Sequence, residues 1–171
     1  LHDLNTVLKT AYLLKNQDDI LFLFIGNGAQ NKKLRKIVRD KKLSNCKFLP
    51  YQNLENLKFS LSSANLGIVS ISENSLGNIA PSKVYGYLAA GCPLAIISPE
   101  NSYLRVLVEQ EELGIWIKNE QSEKFAKSIL SVKSSKEVQL NYKKKALAYI
   151  NNHASLEVVS DLYENIFKKY L

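Results

Sequence analysis

"NSLGNIAPSKVYGYLAAGCPLAIIS", residues 74–98, decides the fold. A polar loop leads to Ala80-Pro81-Ser82-Lys83. An apolar stretch of helical character follows and stops at Gly91. After Cys92-Pro93 comes the wholly apolar strand "LAIIS" at 94–98. A helix that delivers the chain into a strand without a polar face is the unit of a parallel sheet covered by helices. The start of that helix also carries chemistry. Pro81 presets its φ, Ser82 can cap or hydrogen-bond an anion, and Lys83 brings a full positive charge beside the first amides, Lys83 and Val84. Composition alone leaves a well-capped helix and a seat for an anion both open.

The same alternation extends outward in both directions. Leu4, Val7, Leu8, Ala11 and Leu14 recur at helical spacing, which predicts a helix over 3–16. "ILFLFIG" at 20–26 is a continuous apolar run and reads as a strand buried on both faces. A basic helix over 31–43, a strand at 46–50, a helix at 53–64 and a buried strand at 65–71 follow. Beyond 98 we expect a helix at 102–111, a strand at 115–117 and three helices near 121–133, 136–151 and 155–170. This pattern predicts an α/β fold with a doubly wound, Rossmann-like parallel sheet, occupying residues 1–171 as a single domain whose last part, 136–171, is helical. Ligands of such sheets bind beyond the carboxyl ends of the strands.

Bulk properties narrow the classes. The chain has 171 residues, 46% hydrophobic and 23% charged, as in an ordinary globular domain. No apolar run is long enough for a membrane span. Cys46 and Cys92 make neither a disulfide framework nor a metal set, and read as small buried hydrophobes in a reducing, cytoplasmic setting. No metal is expected. Leu1 stands first and no methionine occurs, so we expect a piece of a longer chain. The net charge of +7 is concentrated in "NKKLRKIVRDKKLSNCK", whose cations are read first as a solvated helix face.

Other candidate chemistry is sparse. Gly26, Asn27 and Gly28 follow a strand and precede a helix, like the first half of a dinucleotide fingerprint, but the third glycine's position is Asn31. Glu73 and Glu100 could reach a strand-end cleft, though each reads more simply as a solvated loop carboxylate. His2 and His153 lie near opposite ends and are expected to be exposed. No Ser, His and Asp grouping suggests a triad.

Together, "FLFIGNGAQNKKLRKIV", "LSNCKFLPYQNLENLKFSLSSANLGIVSI", "APSKVYGYLAAGCPLAIIS" and "EELGIWI" resemble the carboxyl-terminal, donor-binding half of a family-4 retaining glycosyltransferase of the GT-B type. The match runs over about residues 1–130 and is closest to a subgroup with "PSK" before the helix, found in colanic acid, O-antigen or capsule assembly. The resemblance implies a nucleotide-sugar donor, expected to be a UDP-sugar, and no further cofactor. It implies that Ser82, Lys83 and the Val84 amide take the diphosphate, with Lys83 assisting departure of the leaving group. Leu49, Pro50 and Tyr51 would border the base, Gly26-Asn27-Gly28 the same cleft, and Asn78 and Ile79 the donor sugar. It also implies a strand ahead of Leu1 and a separate amino-terminal half that holds a glycan or lipid-linked acceptor. One departure stands out. The family's Glu-x7-Glu pair falls on Asn78 and Gly86, so neither carboxylate for the ribose is present.

Two other readings remain. One is a non-catalytic Rossmann-like binding domain that uses the basic helix against membrane or nucleic acid. No aromatic residue interleaves with those charges, so nucleic acid is not the expected partner, while peripheral contact with a membrane stays open. The other is a sugar-nucleotide epimerase, whose Glu-rich, His-bearing set is not found.

Overall fold

The computed structural model describes residues 2–28 and 30–170. Strands β1 (Phe22–Ile25), β2 (Cys46–Leu49), β3 (Gly67–Ser70), β4 (Leu94–Ser98) and β5 (Gly114–Lys118) alternate with helices α1 (Leu4–Leu13), α2 (Asn31–Asp40), α3 (Leu54–Ser62), α4 (Lys83–Ala89) and α5 (Tyr103–Gln110). A 3₁₀ turn, Glu73–Ser75, lies between β3 and α4. Helices α6 (Ser122–Ser134), α7 (Lys136–Tyr149) and α8 (Leu156–Tyr170) follow, the last two joined by a π-helical turn over Ile150–Ala154. Every element expected from the sequence is present, within a few residues at its ends.

All strand pairings are parallel, in two ladders of order β1-β2 and β3-β4-β5. The sheet is therefore not one continuous ladder. Helices cover the larger ladder on both faces. Alternate residues of β4 show why: Ala95 and Ile97 join Val7, Ala11, Leu14, Phe22, Ile117 and Phe125 in one core. Leu94 and Ile96 join Val69, Val84, Leu88, Leu104 and Val108 in the other. Each buried Val, Leu, Ile or Phe among them contributes about 1.5–3 kcal/mol by leaving water, so the fully buried β4 anchors both layers.

β1 departs from expectation. Phe22 is buried, but Leu23 and Ile25, on the opposite face, are 42% and 40% exposed. The run is apolar throughout, yet only one of its two sides is covered.

Helix α1 aligns the two ladders. At its start, His2 Nδ1 donates to the Ser70 carbonyl at the carboxyl end of β3, 2.8 Å away. At its far end, Asn45 Nδ2 donates to the Ala11 carbonyl at 2.9 Å, immediately before β2 begins. Both ladders thus run in the same direction, and all five carboxyl ends lie towards the start of α1. The packing of α4 depends on a glycine. A Cβ at Gly67 would sit 2.5 Å from the Tyr87 ring, so only glycine in β3 lets α4 lie this close.

Candidate functional site

Two loop groups occupy the carboxyl edge. The first is built on Gly26, whose φ of +105° suits glycine. Its amide donates to the Leu49 carbonyl at 3.0 Å, extending the β1–β2 ladder by one bond. A Cβ on Gly26 would meet the Tyr51 ring at 3.2 Å. Gly26, Leu49 and Tyr51, singled out separately in the sequence, therefore stand together. Tyr51 is 74% exposed, and Asn27, Gly28, Leu49 and Pro50 are exposed beside it. Gly28 has open space around its Cβ direction, so its place in the turn does not require glycine.

The missing third glycine has a structural replacement. Asn31 Nδ2 donates to the Gly26 carbonyl at 2.8 Å, while Arg35 Nε donates to Asn31 Oδ1 at 2.6 Å. This side chain closes the strand-to-helix turn from within. The asparagine was visible in the sequence as a departure; its function as a clasp was not.

The second group is the loop from Ser72 to Val84. Ser72 and Ser75 hydroxyls pair at 2.8 Å, and the Asn78 amide donates to the Ser75 carbonyl at 3.2 Å. That leaves the Asn78 side chain exposed and Ile79 half-buried at the mouth of α4. Ser82 does not cap α4 with its hydroxyl, and its backbone is already helical. The expectation of an unengaged Val84 amide is corrected: it donates to the Pro81 carbonyl at 3.2 Å, and Val84 is 1% exposed. Pro81 starts the turn one residue earlier than the sequence suggested. Among the described residues, the Ser82 and Lys83 amides and the Ser82 hydroxyl have no protein acceptor.

Lys83 is the cation of this loop, whose carboxylate, Glu73, lies in the 3₁₀ turn. Its side chain reaches solvent, yet the surrounding protein desolvates the ammonium enough to pull its pKa below the ordinary lysine value. No carboxylate among the described residues pairs with it. A lysine without an acidic partner, adjacent in the chain to an open hydroxyl and two open amides, is suited to an anionic oxygen.

The remaining candidates take structural roles. Glu100 is engaged by Arg105 at 3.3 Å and Lys118 at 3.4 Å on the surface, and Arg105 lies over the Trp116 ring at 4.5 Å. Glu73 opens the 3₁₀ turn and is exposed. His2 and His153 are exposed as expected, His153 packing on Tyr149 with ring centres 5.1 Å apart. Both cysteines are buried, and burial pushes the Cys46 thiol up to about 11 and the Cys92 thiol up to about 12. Among the described residues, no three His, Cys, Asp or Glu side chains cluster as a metal site.

One polar hub escaped sequence reasoning. Asn119, just beyond β5, donates through Nδ2 to Asp3 Oδ2 and to the Ile71 carbonyl, both at 2.9 Å. Asp3 caps α1 through the Thr6 amide at 3.0 Å and accepts from the Thr6 hydroxyl at 2.6 Å. The Asp-x-x-Thr spacing is a legible cap signal; its long-range partner is not.

The chain can now be set beside known proteins. Its sequence matches the family described as Glycosyl transferases group 1 over residues 2–148. The Pseudomonas aeruginosa protein named "Probable glycosyltransferase WbjE" is 23% identical over 114 residues, 67% of this chain and 28% of that protein. The structure of Staphylococcus aureus TarM, solved with fondaparinux, α-GlcNAc-glycerol and UDP, superposes with a TM-score of 0.76 at 20% identity, over 96% of this chain and 32% of TarM. WaaG, a glycosyltransferase involved in lipopolysaccharide biosynthesis, gives 0.70 at 12% identity, over 88% of this chain and 40% of its own. The pneumococcal O-GlcNAc transferase GtfA, solved with UDP and GlcNAc, gives 0.68 at 13% identity, over 98% of this chain and 33% of its own. The fold is thus the parallel α/β fold found in these GT-B glycosyltransferases, and the chain spans well under half the length of each. Its sequence places it in the glycosyl transferases group 1 family.

Proposed function

We propose that this chain is the nucleotide-sugar-binding part of a retaining glycosyltransferase whose donor is a UDP-sugar. One observation carries the reading: Lys83, without a carboxylate partner among the described residues, follows directly on Ser82, whose hydroxyl and amide are open together with the Lys83 amide at the carboxyl edge. The UDP bound in the TarM and GtfA structures supports the choice of nucleotide.

In this reading Ser82 and Lys83 receive the diphosphate. Tyr51, with Leu49, Pro50 and the Gly26-Asn27-Gly28 turn, borders the base, and Asn78 and Ile79 face the sugar. As the anomeric carbon–oxygen bond breaks, negative charge grows on the departing phosphate oxygen. The helix start, with the lysine beside it, stabilises that charge as it develops. With Asn78 and Gly86 where a glutamate pair would stand, ribose recognition falls to other groups. The acceptor, a cell-surface polysaccharide or lipid-linked glycan, would be held by a further amino-terminal half on the cytoplasmic side of a membrane.

The test is a binding titration with UDP, ADP and GDP on the chain and on Lys83→Ala. We expect selective UDP binding that weakens in the variant by about 1–3 kcal/mol, the scale of a charged hydrogen bond. Equal binding of all three nucleotides, or an unaffected variant, contradicts the assignment.

A further inference from the structure

The edge of the β1–β2 ladder opposite the cleft carries a second surface. There Tyr12 and Leu13 end α1 with Lys15 just beyond it, the chain enters β1 through Leu21, and Arg39 stands in the last turn of α2 with Lys41 and Lys42 just beyond it. The Asn45 bond to the Ala11 carbonyl and the Phe22 amide bond to the Asn45 carbonyl, at 2.9 and 2.8 Å, hold these ends together. Tyr12, Leu13 and Leu21 are 43%, 47% and 52% exposed. Lys15 and Lys41 ammoniums lie 4.5 and 5.3 Å from the Tyr12 ring centre, so apolar and cationic groups share one patch. Lys32, Lys33, Arg35 and Lys36 continue the charge along the solvent face of α2.

The nearby acids cancel only part of this charge. Asp40 meets Arg39 at 3.7 Å and Asp19 is taken by Lys133, which leaves Asp18. From this juxtaposition we infer that the amino edge of the β1–β2 ladder docks on an anionic lipid surface, with Arg39, Lys41, Lys42 and Lys15 at the headgroups and Tyr12, Leu13 and Leu21 at the boundary below them. Charge attracts the protein to such a leaflet, and exposed leucines beside an aromatic ring give the contact an apolar part. Single-stranded nucleic acid fits less well, because it needs open aromatic faces. Here the Tyr12 ring already carries two lysines, and Phe48 lies under Arg35 at 4.5 Å. The inference depends only on this surface and is independent of the cleft.

The test is sedimentation with vesicles of phosphatidylcholine alone and of phosphatidylcholine mixed two to one with phosphatidylglycerol. The protein should pellet with the mixed vesicles only and be released by added salt. Each neutralised cation should lower partition about fivefold, so changing Lys15, Arg39, Lys41 and Lys42 together to Gln should lower it at least a hundredfold or so. Leu13→Ser with Leu21→Ser should weaken binding at unchanged charge. These six positions are exposed or half-exposed, and matched circular-dichroism melts confirm that each variant folds. Failure to bind mixed vesicles, equal binding to neutral ones, or full binding by the four-residue variant overturns the proposal. Displacement of the vesicles by a single-stranded RNA oligonucleotide does so too.

Discussion

Asn119 Nδ2 donates to Asp3 Oδ2 at 2.9 Å, fastening the end of β5 to the start of α1 across 116 residues of sequence. The Glu120 amide donates to the Thr6 hydroxyl at 3.0 Å in the same knot. Burial opposes ionisation of Asp3, but the Thr6 and Asn119 bonds outweigh it and hold its pKa below the ordinary aspartate value. A carboxylate shifted this way stabilises the fold fully above its unfolded pKa, about 4, and loses that contribution as the pH falls through its folded value. Asp3→Ala should cost about 0.5–2 kcal/mol at neutral pH, the scale of a lost helix cap. Denaturant titrations at pH 7 and near pH 3 check this. The penalty should shrink at the lower pH, and an unchanged penalty there would show that charge is not what Asp3 contributes.

Gly67 and Tyr87 make a second such pair. The Cβ of Gly67→Ala would sit 2.5 Å from the Tyr87 ring, so α4 must tilt or the ring must leave. Overpacking of this kind costs about 1–3 kcal/mol. The double variant Gly67→Ala with Tyr87→Leu should recover part of the loss if the ring is the obstacle. Thermal denaturation of both reads the difference.

The thiols should be inert. With pKa values pushed up to about 11 and about 12 by burial, Cys46 and Cys92 hold almost no thiolate near neutral pH. Native protein at pH 8 should resist a thiol-reactive dye, and both cysteines should label once the protein unfolds. Rapid labelling of native protein would mean that these edges open readily.

Much of this was legible because it is local. Apolar runs stopped by Gly26, Pro50 and Gly91 marked strand and helix ends, and the α4–β4 unit declared a parallel sheet. Gly26, Leu49 and Tyr51 were each singled out, and the structure joins them at one turn. What escaped were facts set by distant packing. Leu23 and Ile25 carry the same apolar letters as a strand covered on both faces, and the packing leaves them exposed. The Asn119–Asp3 bond has no local signature, and Asn31 looked like a lost glycine until its side chain was seen closing the turn. The Val84 amide counts among the first open amides of the helix by sequence, but the Pro81 carbonyl already starts the turn and takes it.

The central claim is that Ser82 and Lys83 form the diphosphate seat of a UDP-binding cleft. Heteronuclear NMR titration with UDP, against ADP and GDP controls, tests it most directly. The account predicts UDP-selective shifts at Asn27, Gly28, Tyr51, Asn78, Ser82 and Lys83, with the α4 shifts lost in Lys83→Ala. Shifts that leave Ser82 and Lys83 unmoved while UDP binds elsewhere would contradict it.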